Sequence, residues 1–313
     1  MIEPILAFDT LIEPIGSDLA GRYRLISAQD ASAETMLTGF RAVLTNGALG
    51  VDRSWIERMP NLELIAVNGV GTDRIDLDLC AQRKIHVATT LGILTDDVAD
   101  MAIGLMLAVL RDMGRGRDLV RSGEWARGGK LALSRSASGK KVGIVGLGAI
   151  GRAIAERAAA FKMEIGFWNR SEKSVPQWRA FPSPLELARW ADVLIVAVAA
   201  TASTEGLVDR AVIEALGNEG YLVNIARGSV IDENALIEAL EARAIAGAGL
   251  DVFLGEPRID ERFLKLDNVF SVPHVGSATV ETRTAMAELV RENIDAYFAG
   301  RQPPTSVTAS RFT

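Results

Sequence analysis

Short apolar runs alternate with longer, more polar stretches along the first part of the chain. The runs are Ile5 to Phe8, Arg24 to Ile26, Ala42 to Leu44, Leu64 to Val67 and Ile85 to Val87. Short apolar runs separated by helix-like segments are typical of parallel strands joined by helices. This region is therefore predicted to form a small parallel-sheet domain.

A long apolar helix is predicted directly after this region. Thr95-Asp96-Asp97 provides an N-cap and an acidic first turn, and apolar residues continue to Leu110. A helix that is apolar on all sides must be buried between other elements. We predict that this helix connects the first domain to a second one.

The alternation of strands and helices restarts at Lys141, with longer runs that are rich in β-branched residues. These runs are Val142 to Val145, Ile165 to Trp168, Val193 to Val198, Leu222 to Ile225, Gly249 to Val252 and Val269 to Val272. Strands of this kind are typical of a doubly wound sheet that binds a nucleotide. A last helix with Gly300 as its cap is predicted to return to the first domain, and its apolar face consists of Met286, Leu289, Val290, Ile294, Tyr297 and Phe298.

Size and charge restrict the function. A chain of 313 residues with 49% hydrophobic residues and 29 glycines fits a two-domain α/β protein. Forty acidic and 34 basic residues give a net charge of −6, and no long basic run is present, which argues against nucleic acid and anionic membranes as partners. The N-terminus lacks a signal-peptide pattern, so a cytoplasmic location is predicted. A single cysteine, Cys80, and two histidines argue against a disulfide or a metal site.

A glycine-rich segment marks the candidate nucleotide site. Gly146-Leu147-Gly148-Ala149-Ile150-Gly151 follows the predicted strand Val142 to Val145 and precedes a predicted helix from Ala153 to Ala160. In this context the three glycines permit a tight turn, close approach of a pyrophosphate and close packing of helix on strand. The predicted fold is therefore α/β with two doubly wound parallel-sheet domains. A Rossmann nucleotide domain is expected at residues 96–282, and a smaller flavodoxin-like domain at residues 1–95 and 283–313.

The end of the next predicted strand indicates which cofactor is bound. An acidic residue there would accept a hydrogen bond from the ribose 2′-hydroxyl of NAD, but this chain has Asn169-Arg170-Ser171. A guanidinium and a hydroxyl can instead bind a 2′-phosphate. NADP(H) is therefore the predicted cofactor, the alternative being that Arg170 is a solvated loop residue.

One arginine, one glutamate and one histidine lie in three separate segments downstream of the glycine-rich segment. They are Arg227 in Asn224 to Gly228, Glu256 in Leu250 to Pro257, and His274 in Pro273 to Ser277. An arginine can hold a carboxylate through two parallel hydrogen bonds, a histidine can give a proton to a carbonyl, and a glutamate can keep that histidine charged. Reduction of a 2-oxo acid needs all three functions: carboxylate binding, proton donation and a histidine that is kept charged. Taken singly, each residue has a structural alternative: a turn cap, a solvated side chain or a core histidine.

From about Gly69 to Phe298 the chain resembles the D-isomer-specific 2-hydroxyacid dehydrogenases. Within that family it resembles the NADPH-dependent glyoxylate and hydroxypyruvate reductases and the plant hydroxyphenylpyruvate reductases. The shared segments are Leu94 to Asp100, Val145 to Gly148, Asn224 to Gly228, Gly249 to Phe253 and Pro273 to Ser277. The resemblance implies a two-lobed fold with the active site in a cleft. It also implies a homodimer whose contacts come mainly from the nucleotide domain.

The same resemblance implies a role for individual residues. Arg227 binds the substrate, Glu256 orients the histidine, and His274 donates the proton. Val70 and Gly71 bind the substrate carboxylate through their backbone, and Ser277 lies on the substrate side. The remaining expected cofactor contacts are made by Thr95, Thr204, Ile225, Ala226, Asp251, His274 and Gly276.

The sequence says less about the substrate. Small residues near Val70 favour a short 2-oxo acid such as glyoxylate or hydroxypyruvate, and an aryl- or longer-chain 2-oxo acid reductase is the alternative. An NADP(H)-sensing interaction protein without turnover is the alternative from another class. The segment Arg111 to Arg135 resembles a dimerisation arm, in which Trp125 either packs at the interface or reaches the partner's pocket.

Overall fold

The computed structural model describes residues 2–31 and 37–312, and it divides into two compact units. Unit 1 consists of Met1–Leu94 and Ser277–Thr313, and unit 2 of Thr95–Gly276. The first boundary lies next to the predicted one. The second differs, because a boundary after residue 282 would fall inside the helix Val280–Phe298. The hydrogen bonds of a helix hold it together as one element, and the division accordingly lies before it.

The described part of unit 1 contains a parallel five-stranded sheet and four helices. The strands are β1 (Pro4–Ala7), β2 (Arg24–Ser27), β3 (Ala42–Asn46), β4 (Leu64–Asn68) and β5 (His86–Ala88). The helices are α1 (Ile15–Arg22), α2 (Arg53–Arg58), α3 (Leu77–Gln82) and α10 (Val280–Phe298). The strand order β2-β1-β3-β4-β5 is that of flavodoxin-like folds, as predicted.

The continuous apolar strands of unit 1 are explained by burial on both faces of its sheet. Successive residues of a strand point to opposite faces. Ile5 and Leu44 accordingly belong to one core cluster, with residues of α1 and α10, whereas Leu6 and Val43 belong to another, with residues of α2 and α3. Cys80 of α3 lies in the second cluster, where burial raises the pKa of its thiol to about 12. It is a core residue, as predicted.

The described structure of unit 2 is a parallel seven-stranded sheet with six helices. Its strands are β6 (Lys141–Val145), β7 (Glu164–Trp168), β8 (Arg179–Ala180), β9 (Val193–Val196), β10 (Tyr221–Asn224), β11 (Gly247–Leu250) and β12 (Val269–Ser271). Its helices are α4 (Thr95–Leu110), α5 (Met113–Arg121), α6 (Ala149–Ala160), α7 (Pro184–Trp190), α8 (Arg210–Ala215) and α9 (Glu233–Glu241). The strand order is β12-β11-β10-β9-β6-β7-β8, the doubly wound order expected of a Rossmann domain.

Helix α4 differs from the prediction in one respect. It packs on α6 and on β10 to β12, and half of its residues are buried, including Leu105 and Met106. The helix is not apolar on all faces, however, because one face carries an exposed stripe. That stripe consists of Asp96, Asp100 and Gly104. Arg157 of α6 donates hydrogen bonds to both carboxylates of that stripe, at 2.9 and 2.6 Å. Among the described residues, no helix is long and apolar enough to span a membrane.

Candidate active site

Three neighbouring strands of unit 2 place the predicted arginine, glutamate and histidine at one edge of the sheet. Arg227 follows β10, Glu256 follows β11, and His274 follows β12. These strands are adjacent and parallel, so the loops that follow them leave the sheet at its carboxyl edge. The glycine-rich segment follows β6 at the same edge, where the strand order reverses. This edge is where open α/β sheets bind their ligands.

A hydrogen bond joins His274 to Glu256. Nδ1 of His274 lies 2.7 Å from Oε2 of Glu256, and Oε1 of Glu256 accepts from the backbone N–H of Phe253 at 2.7 Å. Burial would raise the pKa of Glu256, but the hydrogen bonds from His274 and Phe253 and the charges of His274 and Arg227 outweigh it and lower the pKa. An ionised carboxylate only accepts hydrogen bonds, so Nδ1 carries a proton and Nε2 is the ring nitrogen left for a substrate.

Asp251, directly after β11, fixes the backbone on which His274 stands. Its carbonyl oxygen accepts from the N–H of His274 at 2.8 Å, and its two carboxylate oxygens accept from Val275 at 2.7 Å and Gly276 at 3.0 Å. His274 itself has a φ of 51°, a left-handed conformation that a non-glycine residue adopts only when its surroundings impose it. Burial raises the pKa of Asp251, while the two N–H groups and His274 oppose the rise. The Asp251 side chain therefore serves as a clamp, meaning that its hydrogen bonds fix the backbone of the loop from His274 to Gly276.

A second clamp shapes the turn that presents Arg227. Oδ1 of Asn224 accepts from the N–H of Ala226 at 3.0 Å, and its Nδ2 donates to the carbonyl of Arg227 at 3.0 Å. The guanidinium of Arg227 donates to the carbonyl of Ala226 at 2.8 Å and is close enough to lower the pKa of Glu256. The structure thus brings all three predicted side chains to one place in unit 2.

The glycine-rich segment fits a dinucleotide. Gly146 has a φ of 102°, and a Cβ there would meet the Val198 side chain at 2.6 Å. A Cβ on Gly151 would lie 1.9 Å from the carbonyl oxygen of Gly146, so helix α6 can start this close to the strand only with glycine. Gly148, the N-cap of α6, is exposed with open space where its side chain would be. A pyrophosphate can therefore approach the N-terminus of this helix.

The polar loop after β7 is tied both to the glycine-rich segment and to the loop after β9. Oδ1 of Asn169 accepts from the N–H of Leu147 at 3.0 Å, and its Nδ2 donates to the carbonyl of Ser171 at 2.7 Å. Arg170 is exposed and donates to Oγ of Ser203 at 2.9 Å. The described structure thus places the Arg170 guanidinium on Ser203, in a loop that is hydrogen-bonded to the glycine-rich segment. In dinucleotide-binding domains the end of this strand carries the residue that faces the ribose 2′ position.

Comparison with known proteins decides the family. Residues 103–276 match the model of the D-isomer specific 2-hydroxyacid dehydrogenase NAD binding domain, which is more than half of the chain. The chain belongs to this family. It is 49% identical over 267 residues to the 2-ketogluconate reductase of Gluconobacter oxydans, a match that covers 85% of this chain and 86% of the relative.

Two further proteins are similar to this chain in sequence or structure. The chain is 46% identical over 274 residues to a glyoxylate/hydroxypyruvate reductase of Arabidopsis thaliana, with 88% of this chain and 87% of the relative covered. An NADPH-dependent glyoxylate/hydroxypyruvate reductase of Sinorhizobium meliloti, solved in complex with NADP and malonate, has a TM-score of 0.93. Its sequence is 37% identical, and the match covers 100% of this chain and 98% of that one. The predicted family and fold class are confirmed, and this 2-hydroxyacid dehydrogenase is an oxidoreductase.

Four other predicted cofactor contacts can be located in unit 2, but their role stays a prediction. Ile225 and Ala226 are buried directly after β10, and Thr95 is the first residue of α4. Thr204 is buried, and its hydroxyl is already engaged, accepting from Thr201 N–H at 2.8 Å and donating to the Ala199 carbonyl at 2.8 Å. Its contact with a cofactor stays a prediction.

The expected substrate-side residues lie in unit 1. Val70 and Gly71 follow β4 in the loop that begins with Gly69, and Ser277 precedes α10. Their roles stay predictions. Trp125, in unit 2, forms part of a short 3₁₀ turn and is mostly exposed.

Several residues that shape the dehydrogenase's site had no role in the predictions from sequence. Gly228 packs on the loop that carries Glu256, Glu233 accepts a hydrogen bond from that loop, and Ser203 holds Arg170. Asn224 could have been recognised, since asparagine often bonds to the backbone two residues ahead. The others carry no local signal, because their partners are distant in sequence.

Proposed function

We propose that this dehydrogenase catalyses the NADPH-dependent reduction of a small 2-oxo acid, such as glyoxylate or hydroxypyruvate, to the D-2-hydroxy acid. The observation that carries the proposal is the His274–Glu256 hydrogen bond beside Arg227 at the carboxyl edge of the nucleotide-type sheet. This is the arrangement that carboxylate binding and proton donation to a carbonyl require.

Each side chain has one task in the proposed reaction. Arg227 binds the substrate carboxylate and polarises the adjacent keto oxygen, since a guanidinium stays charged at any working pH. Nε2 of protonated His274 gives its proton to that oxygen. Glu256 stabilises the imidazolium and fixes the ring through Nδ1. NADPH, when bound, would supply the hydride that the keto carbon accepts.

The cofactor preference rests on Arg170. The strand end after β7 carries this exposed guanidinium, with hydroxyls of Ser171 and Ser203 nearby and no carboxylate at the predicted ribose position. A 2′-phosphate can accept charge-assisted hydrogen bonds there. The Sinorhizobium relative, which was solved with NADP, supports the same choice.

The Arg170→Ala variant tests this preference. Losing a charged hydrogen bond worth about 1.5 to 3 kcal/mol should raise KM for NADPH by roughly 10- to 150-fold and leave KM for NADH unchanged. Arg189→Ala, which removes an exposed arginine of α7, is the matched control. An unchanged ratio of the two KM values in Arg170→Ala would contradict the NADP assignment.

A second candidate is reduction of a longer-chain 2-oxo acid, and the 49% identity to a 2-ketogluconate reductase favours it. Steady-state rates with glyoxylate, hydroxypyruvate, phenylpyruvate and 2-ketogluconate, each with NADPH and NADH, separate the candidates. The highest kcat/KM on glyoxylate or hydroxypyruvate supports the proposal. Tight NADPH binding without oxidation by any of the four acids would instead indicate a cofactor sensor.

We also propose that two copies of the chain form a homodimer through unit 2. Helix α5 has no buried residue, and Met113, Val120, Trp125 and Leu133 are exposed on this helix and the segment after it. Such an apolar surface suits a second copy. Sedimentation should give twice the chain mass of 33.6 kDa, and Leu133→Glu should weaken the dimer. Leu264→Glu, at another exposed leucine, should not.

A further inference from the structure

Two carboxylates hold two consecutive peptide groups in the loop that carries Glu256. Oε1 of Glu256 accepts from the N–H of Phe253 at 2.7 Å, and Oε2 of Glu233 accepts from the N–H of Leu254 at 2.7 Å. Glu256 continues to His274 through its other oxygen. Glu233 therefore binds the peptide N–H that directly follows the one bound by Glu256, the residue that orients the proposed proton donor His274.

We propose that Glu233 is a positioning residue, which fixes the Phe253–Glu256 loop and thereby aims the Glu256 carboxylate at Nδ1 of His274. This inference rests on the proposed reductase function. It adds to that function a residue that need not touch the substrate or the cofactor.

Glu233 lies at the capped start of a helix. It is the first residue of α9, and Asp232, the N-cap of that helix, accepts from the N–H of Ala235 at 3.0 Å. The turn Gly228–Val230 connects this cap to Arg227. One short stretch of chain therefore supplies both the predicted substrate-binding arginine and the acceptor that holds the Glu256 loop.

The loop also packs closely on the backbone before α9. A Cβ on Gly228 would lie 2.1 Å from the carbonyl carbon of Phe253 and 2.3 Å from the nitrogen of Leu254. Gly255, with a φ of 72°, turns the chain so that Glu256 can reach back to Phe253. Backbone contact and two carboxylate hydrogen bonds thus restrict the same two peptides.

Electrostatics alone disfavours a glutamate at position 233. Burial raises the pKa of Glu233, the Leu254 N–H and Arg262 oppose the rise, and the negative charges of Asp260 and Glu256 add to it. The hydrogen bond from the Leu254 N–H is the larger of the two interactions that oppose this rise in the pKa of Glu233. A neutral glutamine could accept the same bond, so hydrogen-bond acceptance and charge can be separated by substitution.

The test compares Glu233→Ala and Glu233→Gln in the full-length protein. Three quantities are measured: the pH profile of kcat/KM for glyoxylate reduction, the Kd of NADPH, and the titration midpoint of the His274 imidazole by NMR. The chain has only two histidines, His86 and His274, so the signals can be assigned with one His274 variant. Among the described residues, Glu256 and Asp251 interact electrostatically with His274, and Arg227 interacts with Glu256.

In Glu233→Ala, the Glu256 carboxylate loses part of its alignment and stabilises the imidazolium less. We expect kcat to fall about tenfold and the Kd of NADPH to stay unchanged. The midpoint of the pH profile of kcat/KM and the midpoint of the His274 titration should both move down by roughly half a pH unit. Glu233→Gln should restore the wild-type rate and midpoints. Glu241→Gln, a neutralisation at the exposed end of the same helix, should change neither. If Glu233→Ala fails to fold, Glu233→Asp withdraws the oxygen while keeping the charge, and should reproduce the losses.

Three results would overturn the inference. Wild-type kcat and midpoints in Glu233→Ala would show that the loop does not depend on Glu233. Equal midpoint shifts in the alanine and glutamine variants would show a field effect of the lost charge, since both remove it. A lower melting temperature with unmoved midpoints would show a purely structural role. Absence of wild-type turnover on all 2-oxo acids would refute the proposed function, but the His274 titration would still decide the positioning role.

Discussion

The side-chain space at Gly228 is closed by the backbone of the loop that carries Glu256. A Cβ in the Gly228→Ala variant would lie 2.1 to 2.4 Å from three backbone atoms of Phe253 and Leu254. Backbone cannot rotate away as a side chain can, so either the Arg227 turn or the Glu256 loop must move. A real Cβ contact is about 3.4 Å or longer, which implies a displacement on the order of 1 Å.

Such a displacement affects stability and turnover separately. Overpacking costs about 1 to 3 kcal/mol, which for a unit of this size lowers Tm by roughly 2 to 12 °C. Misplacing catalytic groups by about 1 Å lowers the rate by roughly 10². We therefore expect Gly228→Ala to fold, to bind NADPH with near wild-type affinity and to lose most of its kcat on glyoxylate.

The matched control is Gly104→Ala. Gly104 lies within α4, is exposed and has open space within 4 Å of the position that a methyl group would take, so alanine should stabilise the helix by up to about 1 kcal/mol. Calorimetry gives Tm, fluorescence quenching gives the NADPH affinity, and NADPH oxidation gives kcat. Wild-type kcat in Gly228→Ala would refute the coupling of the Arg227 turn to the Glu256 loop.

Two further predictions concern the clamps of the site. Asp251→Asn replaces one acceptor oxygen by an amide that faces a backbone N–H of Val275 or Gly276, so urea unfolding should show a loss of about 1 to 3 kcal/mol; an unchanged stability would contradict the clamp. Folding lowers the pKa of Glu256 from its unfolded value near 4.5. The ionised carboxylate therefore stabilises the folded state at any pH above the unfolded-state pKa, and this stabilisation is lost as the pH falls through the folded-state pKa. The Tm advantage of wild type over Glu256→Gln should therefore be complete at about pH 6 and shrink below about pH 4.5, and an advantage that grows on acidification would show that burial dominates.

Much of the fold follows from apolar periodicity, and the deviations have physical causes. The run Val193 to Val198 predicts a strand that ends two residues too late, because Val198 no longer pairs and instead packs on Gly146. Strand β11 starts earlier than predicted, at Gly247, although Gly247-Ala248 has little strand propensity. Its glycines are buried beneath α4, where a Cβ on Gly249 would meet Leu105 at 3.0 Å. Tertiary packing decides this boundary.

The three side chains that residue type singled out, Arg227, Glu256 and His274, lie together in unit 2, and their catalytic roles stay predictions. Histidine, glutamate and arginine in separate segments could be assigned a common purpose because few reactions need all three. The sequence does not contain the hydrogen bonds that hold them. Glu233 is 21 residues from Leu254, and Ser203 is 33 residues from Arg170. Only the folded sheet brings these pairs together.

Transfer of a proton from His274 is the central claim, and single-turnover oxidation of bound NADPH by glyoxylate tests it most directly. In His274→Ala, the account predicts a rate at least about 10² below wild type, with the affinity for NADPH unchanged. A single-turnover rate close to that of the wild type would contradict it.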